Sequence, residues 1–156
     1  MVGRNLSLLL LGVGVLLGAV TVTPASAAKV TFEITDEPGS WFRNTAGGGS
    51  LAVATPGTEV VFTGKSNTVH TRTSLIFPTG AINMPFDTEP RKGSDSLVLH
   101  TPGLYVFTCK IHPYMFGAVI VDDPATTAGL DLGREISLVN GIRVPTFSDL
   151  AIRLLR

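Results

Sequence analysis

The apolar positions of this chain follow three successive patterns. Leu6 to Val22 is a nearly continuous apolar run, broken only by Ser7, glycines and Thr21. From Lys29 the run gives way to short stretches punctuated by glycine and proline, the signature of strands joined by turns. Val30-Thr31-Phe32-Glu33-Ile34 alternates apolar and polar residues. Glu59–Gly64 reads as a strand opened by the Pro56-Gly57 turn, and Thr73–Phe77 as one ended by Pro78. Ser96–His100 places Leu97 and Leu99 on one face, and Pro102-Gly103 turns the chain into Leu104–Cys109. Phe116–Asp122 closes the series, with Ala118 and Ile120 on one face and Val119 and Val121 on the other. No segment between 29 and 123 keeps a long helical period, so about ninety residues of spaced strands predict an all-β sandwich. That length can bury one core without disulfide staples.

The third pattern begins after Pro124. Ala125–Gly129 reads as a linker. Phe147, Leu150, Ala151, Leu154 and Leu155 then recur at the spacing of one helix face. Ser148 suits the cap, and Arg153 and Arg156 suit the dipole of the last turn. The expected architecture is therefore residues 29–123 as a β-sandwich and 124–156 as linker and amphipathic tail. The simplest role for such a helix is packing on the sandwich. Contact with a partner protein or a membrane surface is the alternative.

Residues 1–28 read as a secretory signal peptide. Arg4 supplies the positive end, the apolar run follows, and Ala25-Ser26-Ala27 provides small residues at the cleavage offsets. An uncleaved N-terminal anchor is the alternative, because the run is long for a signal and short for a membrane span. Either reading puts the rest of the chain outside the cytoplasm, in the periplasm or at the outer surface.

Charge narrows the function classes. The 156 residues carry 12 Lys/Arg and 12 Asp/Glu. No basic stripe points to nucleic acid. The single cysteine, Cys109, cannot form an internal disulfide, and in an oxidising compartment burial or metal ligation protects such a thiol.

Cys109-Lys110-Ile111-His112-Pro113-Tyr114-Met115 concentrates the candidate chemistry. A thiolate, an imidazole and a thioether in the spacing C-x2-H-x2-M meet the needs of a trigonal His2Cys copper site with a weak axial Met, once a second imidazole arrives from elsewhere. His70 and His100 are the other histidines. His70 follows the Glu59–Gly64 strand, 39 residues before Cys109, where loops of a sandwich gather at one end. His100 shares a hairpin with Cys109 and is expected at the far end. Zinc is a lesser fit because Met is a poor zinc ligand. A catalytic cysteine would need an orienting group and an oxyanion device that the sequence does not display.

Tyr105–Met115, with Asn67-Thr68-Val69-His70 upstream, resembles the plastocyanin-like cupredoxins, its short ligand loop most closely that of amicyanin and then pseudoazurin. The resemblance covers roughly residues 29–122. It implies a Greek-key sandwich, one copper ion, His70, Cys109 and His112 as strong ligands, and Met115 as the axial one. It also implies an electron carrier, not an enzyme, that meets redox partners through an apolar patch near His112. Pro113 and Tyr114 are the expected patch residues, with Met84 and Pro85 as further candidates. Two positions depart from the family pattern. Thr71 replaces the Asn that commonly ties the ligand loops together, and Ile111 replaces a proline. The free N–H of Ile111 is expected to donate to the Cys109 sulfur. Copper trafficking and a module of a larger copper-dependent redox enzyme are the alternative functions.

Overall fold

The computed structural model of the protein describes residues 28–126 and 129–148. Ten strands occupy them: β1 Lys29–Ile34, β2 Phe42–Asn44, β3 Leu51–Ala54, β4 Thr58–Gly64, β5 Thr73–Pro78, β6 Ser94–Leu99, β7 Gly103–Cys109, β8 His112–Val121, β9 Glu135–Leu138 and β10 Arg143–Pro145. They form a four-stranded sheet in the order β2-β1-β4-β6 and a six-stranded sheet in the order β10-β9-β5-β7-β8-β3. Both sheets are mixed, with β1 parallel to β4 and β3 parallel to β8.

The two sheets face each other across one core. Phe32, Ile34, Phe42, Val60, Phe62, Leu97 and Leu99 come from the smaller sheet, and Tyr105, Phe107, Cys109, Met115, Val119 and Val121 from the larger. The rings of Phe62 and Phe107 meet edge to face across the gap, 5.0 Å apart. Period-two alternation sets the register of β8: Met115, Gly117, Val119 and Val121 all point inward. Gly117 is required there, because a Cβ would lie 2.7 Å from Cβ of Phe42 on the opposite sheet. At the end of β7 remote from Cys109, the buried Tyr105 donates its hydroxyl to the carbonyl of Thr101 at 2.8 Å.

Six of these strands lie where the alternation predicts them, and the segment expected as linker and tail adds two more. β9 pairs with β5, and β10 with β9. Ile136 and Val144 pack with Ile76, Leu104, Val106 and Ile120 into a second cluster outside the main core. Among the described residues there is no helix, and none long and apolar enough to cross a membrane. The helix expected from Phe147 lies almost wholly in 149–156, outside the described residues, as does the signal segment except Ala28. Phe147 itself stands in a turn with its side chain exposed.

Candidate metal centre

β7 and β8 are consecutive strands joined by Lys110 and Ile111 alone, and Cys109 pairs with His112 across the ladder. Sheet hydrogen bonding therefore fixes the spacing of two donors. Three residues further along β8, Met115 returns to the inward face and is 1% exposed, in the same core cluster as Cys109. The connection between β4 and β5 brings the remaining donor to this pole. Its anchor is a bridge in which His70 and Arg91 exchange backbone hydrogen bonds of 3.1 and 3.0 Å.

These elements bring His70, Cys109 and His112 together. Cys109 Sγ lies 3.8 Å from His70 Nδ1 and 3.7 Å from His112 Nδ1, and the two nitrogens are 3.2 Å apart. A first-row ion roughly 2.0–2.1 Å from each nitrogen and about 2.3 Å from the sulfur would see these donors at roughly 100–120°, close to a trigonal arrangement. The donor set and its spacing thus fit one metal ion, and soft sulfur with two imidazoles matches copper. Cys109 is free and buried. Burial holds the His70 imidazole below its ordinary pKa, and the nearby His112 acts in the same direction. Both effects favour the neutral imidazole, the form a metal donor needs. His100 is exposed, in the β6–β7 connection at the opposite end of β7.

The surroundings of the thiol differ from expectation in one respect. Among the described residues, the backbone N–H bonded to Cys109 Sγ is that of Thr71, at 3.4 Å, and not that of Ile111. Ile111 is committed to the tight turn between the paired ends of β7 and β8, with its side chain 45% exposed. Thr71 links the two loops. Its Oγ1 accepts the Lys110 N–H at 2.8 Å, joining the two ligand loops. The hydroxyls of Thr71 and Thr73 are 3.0 Å apart, Thr73 donates to Asp87 at 2.7 Å, and Lys110 Nζ reaches Asp87 at 2.7 Å. A ring of polar contacts thus closes beneath the turn.

Arg72 is the main element that sequence reasoning missed. It is fully buried beside His70. Its guanidinium donates to the carbonyls of His70, Arg91 and Gly93, and Nε lies 3.3 Å from Asp95. A buried cation that gathers three carbonyls stiffens the whole His70 loop. The space it occupies depends on Gly64, where a Cβ would come within 3.1 Å of Arg72 Nη2 and 2.7 Å of the Gly93 carbonyl.

His112 is half-buried, and its neighbours Ile111, Pro113 and Tyr114 are exposed. The Tyr114 ring lies 5.9 Å from the His112 ring and 5.1 Å from that of the half-buried Trp41. Met84 is half-buried with its sulfur accepting from Ser74 Oγ at 3.1 Å, and Pro85 is exposed.

No protein-family model matches the chain, and no curated protein does. Solved structures do. A purple cupredoxin from Nitrosopumilus maritimus is 20% identical over 61% of this chain and 99% of its own, with a TM-score of 0.46. Pseudoazurin from Methylobacterium extorquens is 22% identical over 63% of this chain and 76% of its own, with a TM-score of 0.46. A reduced amicyanin variant is 17% identical over 64% of this chain and 87% of its own, with a TM-score of 0.45.

Proposed function

We propose that the chain is a type 1 copper protein that passes single electrons between redox partners and turns over no substrate. The observation that carries this reading is the convergence of Cys109 Sγ, His70 Nδ1 and His112 Nδ1 within 3.8 Å of one another at one pole of the sandwich. In this reading His70, Cys109 and His112 would hold the ion, and the buried Met115 would supply a weaker thioether donor. Copper, when bound, supplies the one-electron couple. The polypeptide holds its donors in one arrangement through the β7–β8 turn, Thr71 and Arg72, so that little atomic movement accompanies a change of charge. Their burial also keeps water from the sulfur. Trafficking of the ion is the weaker alternative, because Cys109 and His70 are almost inaccessible to a receiving ligand.

Electrons would enter and leave at the His112 edge. The exposed Pro113 and Tyr114 form the proposed docking patch, with Ile111 beside them and Pro85 as a further contributor. An exported protein, periplasmic or tethered at the membrane, completes the reading. Intact-mass measurement on secreted protein tests whether residues 1–28 are removed.

Colour is the decisive experiment. Copper(II)-loaded protein should be intensely blue through thiolate-to-metal charge transfer. Cys109→Ser should abolish the band, His70→Ala should disturb it, and His100→Ala should leave it unchanged. A colourless copper adduct of the wild-type protein would sink the proposal.

A further inference from the structure

The imidazole of His70 meets three oxygens on the side turned away from Cys109. Nε2 is 2.7 Å from Ser66 Oγ, 2.8 Å from Thr68 Oγ1 and 3.4 Å from Asp36 Oδ1. Thr68 has a single hydroxyl proton, and Asp36 Oδ1 stands 2.7 Å from Thr68 Oγ1 to receive it. An ionised carboxylate only accepts. With its proton committed there, Thr68 offers His70 only a lone pair, and Asp36 Oδ1 at 3.4 Å only accepts, so both oxygens favour the imidazole proton on Nε2. Ser66 Oγ can accept the Nε2 proton at 2.7 Å while its own proton goes to the Thr68 carbonyl at 3.1 Å, which is compatible with the same tautomer. A neutral imidazole has one N–H. Protonation at Nε2 therefore leaves the lone pair on Nδ1, the nitrogen turned toward Cys109 and His112.

Asp36 is itself oriented, accepting the Asn67 N–H at Oδ2 over 3.2 Å. It stands in the connection after β1, across from the His70 loop. It is the acidic end of the chain His70–Thr68–Asp36. Without it the Thr68 hydroxyl would be free to turn and donate to Nε2, which favours the opposite tautomer.

We propose that Asp36 is a positioning residue that acts through Thr68 to fix the tautomer of His70 and to strengthen Nδ1 as a donor. A negative group at the far end of a hydrogen-bonded imidazole raises the basicity of the other nitrogen. A stronger donor favours the oxidised, more highly charged metal and lowers the reduction potential. The second part rests on the copper reading. The first does not, because the tautomer exists without metal.

Two measurements test it. Nitrogen-15 NMR of the metal-free protein, above the titration of His70, should find His70 almost wholly protonated at Nε2. Asp36→Ala should lower that tautomer ratio about tenfold or more, the size expected for losing one charge-assisted hydrogen bond. A ratio equal to wild type in a folded Asp36→Ala protein would overturn the tautomer assignment. In the copper-loaded protein, Asp36→Asn should keep the blue band and raise the reduction potential, and Asp36→Glu should bring it part of the way back. An unchanged or lowered potential in Asp36→Asn would overturn the donor-strength part. If wild-type protein took up copper without colour, the function proposed above would fall, while the NMR measurement would still decide for or against Asp36.

Discussion

The two histidines of the metal centre have nearly opposite surroundings. His70 is 2% exposed, backed by three oxygens, and its loop is gripped by a buried guanidinium. His112 is half-buried, sits at the start of a strand, and shows part of its ring to solvent beside Tyr114. The contrast separates two demands that one residue could not meet together. The His70 side holds geometry. The His112 side, in the proposed reading, hands over charge, which needs an open edge and neighbours that can be covered by a partner.

Substitutions on the two sides should therefore have different signatures. Arg72→Met is the largest, because it removes the guanidinium hydrogen bonds from the carbonyls of His70, Arg91 and Gly93, leaving them only their backbone donors, and weakens the pairing of Asp95. Loss of a partner from such a network costs about 3–5 kcal/mol, and denaturant unfolding should register it with a broadened metal site. Thr71→Val comes next. It leaves the Lys110 N–H without its acceptor, at a cost of about 1–3 kcal/mol, and the blue band of the copper form should shift as the ligand loops loosen. An unshifted band would mean that the β7–β8 turn alone holds Cys109.

Tyr105 lies away from the metal centre and supplies a control. Burial pushes its phenol up to about 12. The fold favours the neutral form, so the stabilisation is complete below the ordinary tyrosine pKa of about 10 and is lost as pH rises toward 12. Tyr105→Phe should remove that alkaline loss and cost about 1 kcal/mol at neutral pH through the missing Thr101 hydrogen bond, with the metal spectrum unchanged. The smallest effect on stability belongs to Tyr114→Ala, about 0.5–1 kcal/mol from its contact with Trp41. Its electron self-exchange rate should nonetheless fall while the colour persists. A fall in stability as large as that of Arg72→Met would erase the distinction between the two sides.

Much of this was legible in the sequence. Alternation located β1, β4, β5, β6, β7 and β8, because each buries one face of a sheet. The clustering of candidate donors at Cys109 and His112 was legible because donor type and spacing are local. The short strands β2, β3, β9 and β10 were not, since three or four residues give alternation too little length to register. One signal for the last pair was present: Asn140-Gly141 is a strong hairpin dipeptide, with Gly141 at φ 86° and the Leu138 N–H bonded to the Ile142 carbonyl at 2.8 Å. Arg72 and Asp36 were illegible for another reason. Their roles arise from segments distant in the chain, and nothing local marks a buried arginine or an exposed aspartate as support for a histidine.

The two-residue connection between Cys109 and His112 has a consequence for how the protein would acquire the proposed ion. Many small metal-binding domains gain their structure only when the ion arrives, so that uptake and chain ordering are one event. In this protein the rungs of a ladder space two donors, and a backbone bridge seats the third. Uptake should then resemble a key entering a finished lock: calorimetry should register almost no heat-capacity change, and chelation should leave the circular dichroism of the strands intact.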